Sequence, residues 1–125
     1  MTIDVKGFIT DALKKYGVKE NLCYAEDLKK NLEKYIAIDV IKTDSSSDLD
    51  LRHKLINQGR ILEENLETHY YYWLIRLDGI MAPEVLVVTI LDGTDLYLGA
   101  FAKEGLLSKG TASKALRQIQ RSVTE

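Results

Sequence analysis

Cysteine, proline and long apolar runs are almost missing from this chain of 125 residues, which holds one cysteine (Cys23) and one proline (Pro83). A lone cysteine excludes an internal disulfide and a cysteine-rich zinc centre, so packing alone has to hold the fold together. One proline beside eight glycines, with 46% hydrophobic and 29% charged residues, is the composition of a folded domain and not of a disordered segment. No stretch reaches the roughly 18 apolar residues of a membrane-spanning helix. The opening Met-Thr-Ile-Asp-Val-Lys has neither the basic start nor the apolar run of a secretion signal. The expectation is a cytoplasmic protein with a single domain over residues 1–125.

Positive charge is scarce where aromatic residues are dense. Between residues 61 and 100 Arg76 is the one lysine or arginine, against seven carboxylates, whereas residues 101–125 carry five basic and two acidic side chains. With a net charge of −2 and an isoelectric point near 5.7, the chain is poorly suited to nucleic acid, because a base-stacking platform needs cations beside its rings.

The aromatic density itself lies at residues 69–77, which hold four of the ten aromatic side chains. Read as a strand, this stretch puts Tyr71, Trp73, Ile75 and Leu77 on one face and Tyr70, Tyr72 and Leu74 on the other. Both faces are apolar. The sheet is therefore either covered on both sides or offers an aromatic surface to a partner.

Around that strand the punctuation is clear. Val5, Phe8, Ile9, Ala12, Leu13 and Tyr16 recur at helical spacing between Asp4, a cap, and Gly17, a stop, with Gly7 costing about 1 kcal/mol relative to alanine. Leu22, Ala25, Leu28, Leu32 and Tyr35 suggest a second helix. Ile36–Lys42 alternates as a strand, and Thr43–Ser47 is a polar loop. Ser47 or Asp48 then caps a third helix to Gln58, packing Leu51, Leu55 and Ile56. After Gly59, Arg60–Glu67 either resumes as helix through Ile61, Leu62 and Leu66 or runs extended, with helix the preferred reading.

The second half reads as a meander over residues 69–101. Asp78-Gly79, Ala82-Pro83 and Asp92-Gly93-Thr94 punctuate it, and Gly99 marks a bulge or a close backbone contact. A last helix starts near Thr111 or Ser113 and buries Ala112, Ala115, Leu116, Ile119 and Val123. The fold class is α+β in the order α-α-β-α-β-β-β-α, with the antiparallel meander in a four-stranded sheet packed by helices. Four helices suffice to cover both faces, which favours burial of Tyr70 and Tyr72.

Catalytic patterns are incomplete. Ser47-Asp48-Leu49-Asp50-Leu51 resembles the Ser-Asp-x-Asp-Leu element of minimal nucleotidyltransferases of the DNA polymerase β type. The resemblance implies metal ions held by Asp48 and Asp50 on a strand, for nucleotide handling. The Gly-Ser pair that family places upstream has no counterpart between Ile36 and Asp44, and a helix cap is a simpler use of Ser47 and Asp48. Gly105 to Thr111 has the glycine spacing of a P-loop without the lysine after the second glycine. Asp78 with Glu84-Val85-Leu86 lacks the lysine a restriction-type nuclease would place at Leu86. His53 and His69 are too far apart for a short-spaced metal pair, and no base for Cys23 is identifiable.

No catalytic residue, metal or cofactor is assigned on this basis. The reading is a non-enzymatic protein that binds another macromolecule, of inhibitor, immunity, antitoxin-like or adaptor type, with homodimerisation through the meander as a further expectation. Tyr70, Tyr72, Leu74 and Arg76 are the candidate partner contacts, in an acidic region suited to a basic surface. Lys114, Arg117 and Arg121, at i, i+3 and i+7 on the last helix, are the candidate contact for an anion or an acidic partner.

Overall fold

A computed structural model describes residues 3–29, 32–43, 48–78, 84–102 and 110–124. The first helix, α1 (Val5–Ala12), begins as its spacing predicts. The Asp4 carboxylate accepts from the Gly7 N–H at 3.0 Å, satisfying one of the unpaired donors of the first turn. The helix runs on through one wide π turn, Leu13–Gly17.

Among the described residues the expected second helix does not appear as an α-helix. Residues 22–35 hold two short 3₁₀ turns, Ala25–Lys29 and Glu33–Tyr35. The spacing of three and four residues is α-helical, but Leu22, Leu28, Leu32 and Tyr35 pack against the α1-side core from short turns, so tertiary contact overrides the local pattern. Asp27 supports the first turn by accepting from the Tyr24 N–H at 2.8 Å.

The sheet has five strands, not four: β1 (Ile36–Lys42), β2 (Gly59–Asn65), β3 (Tyr70–Arg76), β4 (Glu84–Asp92) and β5 (Asp95–Phe101), all antiparallel in the order β1-β5-β4-β3-β2. The extra strand is β2, in the segment read from sequence as helix. Its apolar pattern misleads because a bulge between Ile61 and Glu63 breaks the alternation, setting Ile61 against the core on one side of the sheet and Leu62 against the other. Gly59 makes the pairing sterically feasible, since a Cβ there would lie 1.8 Å from the Leu74 carbonyl oxygen.

The third helix is shorter than expected. α2 (Asp48–Leu55) buries Leu51 and Leu55, and a 3₁₀ turn, Ile56–Gln58, follows with Ile56 exposed. α3 (Thr111–Thr124) buries the expected stripe of Ala112, Ala115, Leu116, Ile119 and Val123. Ser47, the turn residues 79–83 and residues 103–109 of the glycine-spaced string lie outside the described residues.

Two cores result, one on each face of the sheet. α2 and α3 pack over Tyr71, Trp73 and Ile75, and Trp73 is fully buried with its indole N–H donating to the Thr89 hydroxyl at 3.0 Å. α1 packs over Tyr72, Leu86, Val88 and Phe101 on the other face. It comes close enough over Gly99 that a Cβ there would sit 2.5 Å from Ile9 Cδ1, which is the close contact expected at that glycine. No described helix is long and apolar enough to cross a membrane.

The covered faces leave the sheet two outer strands, β1 and β2. Thr43 N–H donates to Thr94 O and Ala102 N–H to Tyr35 O, so the odd-numbered residues of β1 bond to β5 and the even-numbered ones turn their N–H and C=O groups outward. Ile38 and Val40 on that edge are exposed, and the Asp39 carboxylate accepts from the Val40 N–H at 2.8 Å.

Candidate functional site

Two surfaces carry chemistry, one on each face. Between α1 and β3, three tyrosine hydroxyls converge on two carboxylates. Tyr16, on the π turn, donates to Glu63 at 2.7 Å and Tyr70 donates to the other Glu63 oxygen at 2.6 Å, while Tyr72 donates to Asp11 at 2.7 Å. Lys15 bridges the two acids at 3.3 Å from each. The elements dictate this meeting. Tyr70 and Tyr72 share a face of β3 because they are two residues apart, Asp11 and Lys15 are one helical turn apart, and the β2 bulge shifts Glu63 into register with Tyr72.

The rings form a continuous row. Centroids are 5.2 Å apart for Phe8 and Tyr70, 5.0 Å for Tyr70 and Tyr72, and 6.3 Å for Tyr72 and Tyr16. Charge follows the hydrogen bonds. Burial works to raise the Glu63 pKa, but the bonds from Tyr70 and Tyr16 and the Lys15 ammonium overcome it and hold the carboxyl below its ordinary value. The Tyr72 bond likewise lowers Asp11. In return Glu63 raises Tyr16 and Tyr70, and burial together with Asp11 drives the Tyr72 hydroxyl far above the phenol range. An open groove of about 290 Å³ runs over this row, lined by Asp4, Gly7, Phe8, Asp11, Tyr70 and Tyr72.

Of the four aromatic-strand contacts read from sequence, Tyr72 and Leu74 are each 1% exposed and act as core; Tyr70 is half-buried and Arg76 exposed. Tyr70 and Tyr72 line the groove together, whereas Arg76 lies at the far end of β3. Sequence reasoning took Phe8 and Tyr16 for core, Gly7 for a defect and Glu63 for a helical residue. The signal that was there is the Asp4, Gly7, Phe8, Asp11 series, whose spacing draws one stripe down α1.

On the opposite face, Lys114, Arg117 and Arg121 are all exposed on α3, as the burial stripe requires, and they line a cleft of about 550 Å³ with Ile41, Leu77, Asp78, Gln118, Gln120 and Thr124. Gln118 is buried and ties the cleft floor to the sheet. Its amide donates to the Arg76 carbonyl at 2.9 Å and to Gln58 at 2.8 Å, and its oxygen accepts from the Asp78 N–H at 3.0 Å. Lys6, Lys15, Lys42, Arg52, Lys54 and Arg60 each face a carboxylate. The three α3 cations have no carboxylate partner among the described residues.

Asp48 and Asp50 lie on a helix, not on a strand. Asp48 meets His69 Nδ1 at 2.5 Å, while Asp50 lies 4.0 Å from Lys54. Among the described residues no three His, Cys, Asp or Glu side chains gather as metal ligands. Cys23 is buried on the α1 side and His53 is exposed on α2, across the sheet from it. No protein-family model, curated protein or solved structure matches the chain.

Proposed function

We propose that this chain is a non-catalytic binding protein, of inhibitor, immunity or adaptor type, which docks an acidic segment of another protein along α3. The observation that carries the reading is the cleft lined by Lys114, Arg117 and Arg121, three neighbouring cations that form no ion pair among the described residues and outnumber the one carboxylate in the lining, Asp78, in a chain of net charge −2. A surplus of positive charge along a cleft steers an oppositely charged partner and fixes its register. Ile41 and Leu77 add apolar area of the kind a peptide buries, and no aromatic ring is among the described lining residues for a base to stack on. An acidic peptide therefore fits better than a nucleic-acid strand. The chain's own pairing with a second copy belongs at an outer strand, since helices cover both faces of the meander.

Fluorescence anisotropy with a labelled glutamate-rich peptide tests this. Binding is expected to weaken with added salt and to vanish in the Arg117→Glu, Arg121→Glu double variant. A peptide that binds neither form, or a single-stranded oligonucleotide that binds more tightly than the peptide, overturns the reading.

A further inference from the structure

We propose that the groove between α1 and β3 is a second binding site, and that it takes the cationic head of a lysine or arginine side chain presented by a partner protein. It lies on the face of the sheet opposite α3 and does not depend on the α3 cleft.

Three independent features agree on that ligand. The first is the ring surface: half-buried Phe8 and Tyr70 form the walls, with buried Tyr72 beneath, and the negative face of an aromatic ring attracts an ammonium or guanidinium. The second is charge. Asp4 and Asp11 line the groove and Glu63 stands behind Tyr70, while Lys15 is already divided between Asp11 and Glu63 and Lys14 acts on Asp11 from further off. Three carboxylates against two ammonium groups leave the site with negative charge that an incoming cation would balance. The third is Gly7. Its backbone needs no left-handed conformation, so helix geometry does not call for glycine there. An added Cβ would lie 2.6 Å from the nearer Asp4 carboxylate oxygen, crowding the floor of the groove. The glycine that weakens α1 leaves the Asp4 carboxylate room to stand at the groove.

The test exploits two substitutions that preserve shape. Asparagine at position 4 still caps the helix, and asparagine at position 11 still offers an oxygen to the Tyr72 hydroxyl, so Asp4→Asn and Asp11→Asn together remove charge and leave the packing. The tripeptides acetyl-Gly-Arg-Gly-amide and acetyl-Gly-Lys-Gly-amide, titrated at matched ionic strength, are expected to shift the ring protons of Phe8 and Tyr70 saturably, with affinities in the millimolar range. The double variant should bind about tenfold more weakly, and Gly7→Leu should block the groove while α3 still binds its acidic peptide. Equal shifts from acetyl-Gly-Gln-Gly-amide or from potassium chloride alone overturn the proposal. So does unchanged binding in a double variant whose thermal melt matches the parent. Free putrescine binding as tightly as the tripeptides would overturn the assignment to a partner's side chain.

Discussion

Glu63 is the residue on which the α1 side of the molecule turns. It accepts from two phenols and an ammonium at once, and an acceptor with charge is worth more to its donors than a neutral one. Replacing it with glutamine keeps the volume and removes the charge, so Glu63→Gln should lower stability by about 1–3 kcal/mol in a urea titration. The same carboxylate makes stability depend on pH in a definite direction. Glu63 and Asp11 both have depressed pKa values in the folded chain, below ordinary values of 4.5 and 3.8. The unfolded chain therefore takes up protons first on acidification. The stability they confer is complete above the ordinary values and drains away as pH falls through the lowered ones. Glu63→Gln should flatten the acid limb below about pH 4.5. At the alkaline end the phenols reverse the sign. Tyr16, Tyr70, Tyr71 and Tyr72 all have raised values, so they favour the folded state below pH 10 and lose that contribution as pH climbs through their folded values. An ultraviolet titration of the folded protein should show these four of the seven tyrosines ionising above the ordinary phenol pH, with Tyr72 ionising only on unfolding.

At the level of elements, two glycines separate a contact that yields from one that does not. A methyl at Gly99 would press on the buried Ile9 and Val5 side chains, which yield only if α1 shifts on the sheet. A methyl at Gly59 would press on the Leu74 carbonyl, which the β2–β3 pairing holds in place. Gly59→Ala should therefore destabilise by about 3 kcal/mol or more and Gly99→Ala by about 1–2 kcal/mol, measured by denaturant unfolding. The same pair shows where sequence was readable. The buried stripe of α3 followed from a period of 3.6, β1 from its β-branched run, the meander from turn residues that bound short apolar runs, and the close approach at Gly99 from a glycine inside a strand. At β2 a bulge erases the period of 2 and leaves Ile61, Leu62 and Leu66 at helix-like spacing, so pairing with β3 decides the structure and local pattern does not. The spacing before β1 fits an α-helix, and contact with the α1-side core, not the pattern, decides the short turns found there. The α3 cations were legible because they lie on one helix. The groove was not, because Asp11, Glu63 and Tyr72 are brought together from three elements by strand order and a bulge.

Seen whole, the two candidate surfaces lie on opposite sides of one sheet, one with carboxylates around the α1 groove and one with cations along α3 that form no ion pair among the described residues, and β3 supplies aromatic anchors to both cores. Its β1 edge is an outer strand on which pairing with another chain would have to compete with a side chain already bonded there. Seven residues of strand with Ile38 and Val40 exposed form a template on which another chain could grow. The Asp39 carboxylate occupies the Val40 N–H at the centre of that template, and Gln120 of α3 donates to the same carboxylate at 2.5 Å, holding it there. Asp39→Ala should leave the thermal midpoint nearly unchanged while light scattering rises with concentration and time. A variant that stays clear at high concentration would count against this role. On this expectation the protein's shelf life rests on one carboxylate of an outer strand, apart from both cores and both docking surfaces.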